Sequence, residues 1–162
     1  MQPSERQPAP PEQKQLTKAY DAAYIFISYR PRSLREVNLR LSQKSFSDAV
    51  VATTIDRLIA DGLLDDKRFA ESWVTDRTLT GIGPKKLRME LAAKGVDRNI
   101  IDEALESVSQ QDEIDAIVAL VNAKRLLQRY PDQRKLISAL MRRGYTYSDI
   151  ATALKGLTTS WR

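Results

Sequence analysis

One six-residue phrase occurs three times in this chain and restricts the possible fold more than any other feature. Leu41-Ser42-Gln43-Lys44-Ser45-Phe46, Leu91-Ala92-Ala93-Lys94-Gly95-Val96 and Leu140-Met141-Arg142-Arg143-Gly144-Tyr145 share a leucine, two variable positions, a base, a small residue and an apolar residue. Offsets of 50 and then 49 residues also bring Ser33 into register with Gly83 and Asp132, Arg35 with Lys85 and Arg134, and Val37 with Leu87 and Leu136. Self-similarity at a fixed period marks a tandem array in which each copy is one supersecondary unit. Units of about 45 residues bury too little apolar surface to be stable alone, so stacked neighbours must stabilise them.

Each copy of the phrase closes a short helix whose start is also marked. Ser33, Gly83 and Asp132 are suitable N-caps, Glu36 completes a capping box with Ser33, and Pro84 takes the first helical position, where its missing N–H is harmless. Gly95 and Gly144 can adopt the left-handed conformation that ends a helix, while Lys94 and Arg143 set positive charge beside the last carbonyls. Ser45 is a poorer terminator. Helices over Ala19 to Tyr29, Phe69 to Leu79 and Ile114 to Tyr130, closed by Pro31, Gly81 and Pro131, are predicted before the three central ones. Third helices follow, with 3.6-residue apolar spacing in Val50, Val51, Ile55, Leu58 and Ile59, in Ile100, Ile101, Ala104, Leu105 and Val108, and in Ile150, Ala153, Leu154 and Leu157. Thr146 and Asp149 form a second capping box. Only Tyr24 to Tyr29, rich in aromatic and β-branched residues, has any strand character.

The expected class is therefore all-α, with tandem three-helix repeats over 16–62, 63–110 and 111–162 behind a disordered Pro/Gln-rich tail at 1–15. Because serial repeats contact only their neighbours, an extended outline is expected, and a compact spherical scattering profile would contradict it. The absence of cysteine fits a reducing compartment. With no signal-peptide apolar region and no stretch long enough to span a bilayer, a cytoplasmic protein without membrane association is expected. The net charge of +5 is unevenly spread: 9 basic and 6 acidic groups in residues 1–60, 8 and 13 in 61–115, and 9 and 2 in 116–162. Such asymmetry suggests electrostatic partners, and the basic C-terminal third suits phosphate or an acidic protein.

The repeated base is the sharpest functional signal. At 100° per residue, Lys85 and Lys86 lie about 140° and 120° from the Leu87/Leu91 face and should point to solvent. Arg134 and Lys135 do the same in the third copy; Arg35 does so in the first, where Glu36 replaces the second base. A base in the first helical turn opposes the macrodipole by a few tenths of a kcal/mol, so its recurrence suggests partner binding, with solubility as the simpler alternative. Arg142 joins these candidates. Lys44, Lys94 and Arg143 instead fall near the apolar face and should lie along it while neutralising helix ends.

Chemistry beyond binding has little support. Gly81-Ile82-Gly83-Pro84-Lys85-Lys86 has neither the spacing nor the preceding strand of a phosphate loop, so a helix connection explains it better. Histidine and cysteine are absent, which removes the commonest general base, the thiolate nucleophile and the usual zinc ligands. Asp65-Asp66 and Asp112-Glu113-Asp115 precede helices and read as caps. Trp73 reads as core and Trp161 closes the chain. No catalytic residue, metal or cofactor is expected. Phe69 should be buried where the first unit meets the second.

Three segments together resemble the successive signatures of RecX regulatory proteins: Arg30-Pro31-Arg32-Ser33-Leu34-Arg35-Glu36-Val37, Gly62-Leu63-Leu64-Asp65-Asp66-Lys67-Arg68-Phe69-Ala70, and Gly81-Ile82-Gly83-Pro84 running through Val96. Leu140 to Ala153 is similar to that family's closing repeat. The resemblance covers about Ala19 to Leu157 and implies an elongated, curved array of three-helix repeats. It also implies a non-enzymatic modulator lying in the groove of the RecA–DNA filament, hindering strand exchange, ATP hydrolysis and co-protease function. The partner it implies is thus the RecA recombinase filament on single-stranded DNA; weak direct DNA contact and a monomeric chain are expected beside it. Structural roles are implied for Asp65, Asp66, Phe69, Gly83, Pro84 and Gly95. Ser45 in place of the commoner glycine and Leu87 in place of the usual isoleucine are departures. A helix-turn-helix array binding duplex DNA is the alternative, but Asp102, Glu103 and Glu106 on the second copy's third helix do not suit base-edge contacts.

Overall fold

The computed structural model describes residues 11–159, and among these every regular element is a helix. In chain order they are α1 (Pro11–Tyr29), α2 (Leu34–Gln43), α3 (Asp48–Ala60), α4 (Asp66–Leu79), α5 (Pro84–Ala93), α6 (Arg98–Glu106), α7 (Gln110–Ala123), α8 (Leu126–Arg129), α9 (Gln133–Arg142) and α10 (Tyr147–Thr159). The chain divides into two compact units, one ending at Asp66 and the other beginning at Lys67. Three apolar clusters follow the three copies of the sequence pattern. Val37, Leu41, Val51 and Leu58 anchor the first; Phe69, Val74, Leu87, Leu91 and Ile101 the second; Ile117, Leu136, Leu140, Tyr145 and Ile150 the third.

The repeated phrase is a helix stop with its own hydrophobic lock. In each copy the apolar sixth residue donates its N–H back to the carbonyl of the leucine: Phe46 to Leu41 at 3.4 Å, Val96 to Leu91 at 3.2 Å and Tyr145 to Leu140 at 3.5 Å. The small fifth residue is left-handed, with φ of 64° at Ser45, 76° at Gly95 and 98° at Gly144. These are the two backbone signatures of a Schellman motif, and the same leucine and apolar partner share one cluster in every copy. Ser45 therefore does the work of the glycines despite its Cβ. The starts match as well. Ser33 and Glu36 form the reciprocal capping box, Pro84 stands first in α5, and Asp132 accepts from the Arg134 N–H. Glu36 also pairs with Arg30 at 2.8 Å, so the first copy uses its acid locally where the others carry a second base.

Several expectations are corrected. Helix α1 starts at Pro11, not near Ala19, so residues 11–15 are helical and not tail; residues 1–10, and Trp161, lie outside the described residues. With proline at its first position, α1 is extended by the helix-tolerant and exposed Glu12, Gln13, Lys14 and Gln15, and Leu16 then packs on the first cluster. The Tyr24 to Tyr29 stretch is helical as expected, its aromatic and β-branched content notwithstanding. The helix expected from Ile114 to Tyr130 is broken, because Arg125 turns left-handed at φ 47° between α7 and α8. That conformation costs about 1–2 kcal/mol, offset by turning Leu126 into the third cluster, where it is buried.

The contact that organises the second unit is backbone against backbone. The Gly83 N–H donates to the Arg143 carbonyl at 2.8 Å and the Lys85 N–H to the Gly144 carbonyl at 3.1 Å, while an Arg143 guanidinium N–H reaches the Gly81 carbonyl at 3.2 Å. The C-terminal end of α9 thus caps the N-terminal end of α5, meeting donors and acceptors that each helix leaves unpaired. It also sets the negative end of one macrodipole against the positive end of the other, which offsets the cost of a base at Lys85. A Cβ on Gly83 would stand 2.5 Å from the Gly144 carbonyl carbon, so glycine is required there by proximity.

Phe69 is 4% exposed and belongs to the second copy's own cluster, its ring centroid 5.8 Å from that of Trp73. Truncation should leave a cavity that this small cluster cannot close. We expect Phe69→Ala to lose about 3 kcal/mol in denaturant unfolding, and an unchanged midpoint would show that the cluster collapses around the gap.

Candidate partner-binding surface

The three equivalent bases occupy the second position of their helices, after Leu34, Pro84 and Gln133. Arg35, Lys85 and Arg134 are exposed, and their side chains make no ion pair among the described residues. Lys135 and Arg142 are exposed too. Lys86 departs from expectation: it is half-buried, because the Gly144 backbone packs against its N and Cβ, and its charge falls on Glu90 one turn on. Lys94 is half-buried with its ammonium 4.4 Å from the Trp73 ring centroid, and Arg143 is engaged with Gly81, as their place near the apolar face implies. Lys44 departs from this expectation: it is exposed, and its backbone N–H, at the C-cap of α2, donates to the Leu41 and Ser42 carbonyls.

The shifted titratable groups hold structure together. The Glu90 carboxylate accepts from Trp73 Nε1 at 3.0 Å and from Arg77 Nε and Nη2 at 3.0 and 2.7 Å. The Arg77 hydrogen bonds, stronger here than the burial opposing them, hold this carboxyl below its ordinary range. Burial pushes the Asp66 carboxyl up, against a hydrogen bond from the Leu34 N–H at 2.8 Å. Burial also pushes the Tyr145 hydroxyl up to about 12. Ser109 caps α7, accepting from the Asp112 N–H at 3.1 Å, and the Asp112 carboxylate accepts from the Ser109 N–H at 3.0 Å in return. Asp66 and Asp112, one from each acidic cluster singled out in the sequence, thus accept hydrogen bonds at helix starts.

A pH prediction follows from Glu90. Its pKa is lowered on folding, so its contribution to stability is present above the unfolded value near 4.5 and is lost as the pH falls through the lower folded value. Glu90→Gln should destabilise the protein at neutral pH and flatten the decline of its unfolding midpoint below pH 4.5. Parallel acid profiles for parent and variant would contradict this.

Two features of the exposed surface were missed in the sequence although the repeat register contains them. Leu39 and Met89 are 56% and 72% exposed and stand one helical turn after Arg35 and Lys85. The register equivalent in the third copy is Ser138. There Tyr130, Arg134, Lys135, Ser138 and Arg142 line an open groove of about 380 Å³. The sequence signal for both is the outward register Leu39, Met89 and Ser138, four residues after Arg35, Lys85 and Arg134.

The class defined by this fold is a tandem three-helix protein with an exposed base at the start of each central helix that makes no ion pair among the described residues. The models of the RecX first and second three-helix domains match residues 19–58 and 65–105. A regulatory protein RecX of Bacillus licheniformis is 34% identical over 150 residues, covering 86% of this chain and 55% of the relative. A regulatory protein RecX of Mycobacterium sp. strain JLS is 33% identical, covering 85% of this chain and 79% of the relative. The crystal structure of RecX from Lactobacillus salivarius superposes with a TM-score of 0.82 at 30% identity, covering 91% of this chain and 99% of that one. The chain belongs to the RecX family of regulatory proteins. It spans about half the length of the Bacillus licheniformis relative and most of the mycobacterial one. No helix among the described residues is long and apolar enough to cross a membrane.

Proposed function

We propose that this protein binds the RecA recombinase filament assembled on single-stranded DNA and lowers its recombinase, ATPase and co-protease activities. Family membership supports a regulatory role, and the observation that carries the contact assignment is the exposed base held in register at Arg35, Lys85 and Arg134 without an ion pair among the described residues. Lys135, Arg142 and the outer part of Lys86 extend that contact. The protein acts in the cytoplasm, as a monomer, by binding rather than by catalysis. Direct reading of duplex DNA fits less well: Asp102 and Glu103 on α6 are tied to Arg88 and Lys67, and they set negative charge where a recognition helix needs donors. Co-sedimentation tests the proposal. The protein should pellet with RecA on single-stranded DNA and far less with RecA alone or DNA alone; equal pelleting with bare DNA would favour the DNA-binding array.

A further inference from the structure

Tyr145 carries one group that its place in the repeat does not require. The equivalent positions hold Phe46 and Val96, so the helix stop needs an apolar side chain there and no hydroxyl. Tyr145 is 1% exposed within the third cluster, and its hydroxyl has no hydrogen-bond partner among the described residues. Burying a hydroxyl without a partner is costly, and phenylalanine would fill the same space without that cost. A hydroxyl kept at such a position calls for a partner that the described residues do not supply.

Tyr145 lines a recess of about 10 Å³ walled by Ile82, Leu87, Leu105 and Val108, with Thr78 and Glu113 as its other polar residues. That volume admits one group the size of a water molecule. The recess adjoins an open groove of about 800 Å³ over α5 and α6, with which it shares Pro84, Leu105 and Glu113. Glu113 thus stands where recess and groove meet. It is half-buried and enters no ion pair among the described residues. Helix α7 does not need it as a cap, because Ser109 and Asp112 form the capping box. Asp149, 4% exposed, lies close by, its carboxylate accepting from Gln110 at 2.9 Å and from Thr146. Burial, and then the Asp149 charge, push the Glu113 carboxyl up. Cations in the surroundings are engaged elsewhere: Arg143 donates to the Gly81 carbonyl, and Arg88 and Arg98 both pair with Asp102. Lys85 and Glu106 also line the groove, and both are exposed to solvent.

The chemistry of the recess selects its ligand. Two carboxyl groups without an ion pair, one lining the recess and one close to it, disfavour an anion. Clusters of three side chains able to hold a metal ion are absent among the described residues. A guanidinium is planar and wider than a water, whereas an alkylammonium is compact and carries three N–H donors on a flexible apolar stem. Those donors match the Glu113 carboxylate and the Tyr145 oxygen, and the stem can run over Leu105 into the groove, as the stems of long cationic side chains lie along apolar surface. We propose that the recess between Tyr145 and Glu113 binds a primary ammonium group on an unbranched alkyl stem, presented by a free alkylamine or by a lysine side chain of a partner protein. The site goes beyond the filament proposal and does not depend on it.

The test titrates the full chain at neutral pH and low salt with n-butylamine, read by isothermal calorimetry and by backbone amide shifts in NMR. The parent should bind saturably at a single site, with shifts centred on Leu105, Glu113 and Tyr145. Glu113→Gln keeps the shape and removes the charge, and it should weaken binding at least about tenfold. Tyr145→Phe removes only the hydroxyl and should weaken binding about three- to tenfold. Butyltrimethylammonium has the same charge and stem but a wider head without N–H donors, so it should not bind. Thermal melts accompany each variant, and both should melt at or above the parent, since each relieves a burial cost. N-acetyl-lysine methylamide separates the two sources. Binding at least as tight as that of n-butylamine assigns the site to a lysine side chain of a partner, and weaker binding assigns it to a free alkylamine. The proposal is overturned if neither amine binds the parent saturably, or if Glu113→Gln binds unchanged. Equal binding of butyltrimethylammonium also overturns it, because only unspecific charge attraction would then remain.

Discussion

Gly144→Ala is expected to destabilise the second unit by about 3 kcal/mol or more. Two independent penalties meet at this position. Its φ of 98° is one that side chains with a Cβ rarely adopt, a conformational cost of about 1–2 kcal/mol. Its Cβ would also stand 2.5 Å from the Lys86 backbone nitrogen and 2.9 Å from the Gly83 carbonyl oxygen. Backbone cannot rotate aside as a flexible side chain can, so α5 and α9 must separate, adding about 1–3 kcal/mol and weakening the hydrogen bonds at Gly83 and Lys85. Gly62 is the control. It is left-handed at φ 68° but has nothing within 4 Å of its would-be Cβ, so Gly62→Ala should cost only the conformational part, about 1 kcal/mol. Denaturant unfolding of both variants decides the matter. Equal losses would mean that the α5–α9 contact yields to an added methyl and is not the rigid junction its distances imply.

Reversal of the repeated base should have the largest effect on function. Arg35→Glu, Lys85→Glu and Arg134→Glu change exposed side chains without ion pairs among the described residues, so each should alter stability by about 0.5 kcal/mol or less. Filament binding should fall by about a hundredfold or more, since a favourable charge contact becomes a like-charge one, worth several kcal/mol at an interface. The parent's affinity should decline as salt rises and the triple variant's should depend on salt less, because the contact it loses is the screened one. Co-sedimentation with RecA on single-stranded DNA over a salt series measures both. A folded triple variant that binds and suppresses ATPase like the parent would move the contact surface away from these positions.

The exposed apolar residues Leu39 and Met89 bear on the same comparison. Each follows its base by one turn, so the first two copies offer a cation beside an apolar side chain, whereas the third offers a hydroxyl at that place. Charge reversal at Arg35 or Lys85 leaves Leu39 and Met89 in position and therefore removes only the electrostatic part of such a contact.

Legibility in the sequence tracked the range of the interaction. Helix starts at Ser33, Pro84 and Asp132, stops at Ser45, Gly95 and Gly144, and the inward faces at Val37, Leu87 and Leu136 are all set by residues within a few positions of one another. Their chemistry could be read locally, and the three-helix unit followed. The Gly81 to Pro84 segment was readable as a helix connection, but the reason for its glycine at position 83 was not. The extent of α1 was misjudged because an exposed helical turn buries nothing and leaves no apolar period to detect. The break at Arg125 was missed for a related reason, since no glycine or proline announces it.

By itself the sequence determined the helical repeats, their caps and the outward setting of Arg35, Lys85 and Arg134, because each follows from helix geometry and neighbouring side chains. Only the tertiary structure decided that the end of α9 caps the start of α5, that Lys86 is half-covered by the Gly144 backbone, and that Tyr130, Ser138 and Arg142 share one groove with Arg134. Gly83 and Gly144 lie sixty-one residues apart, and which backbones touch at that distance depends on how packed helices stack. A periodic pattern states which face each helix buries, but not which helix end meets which.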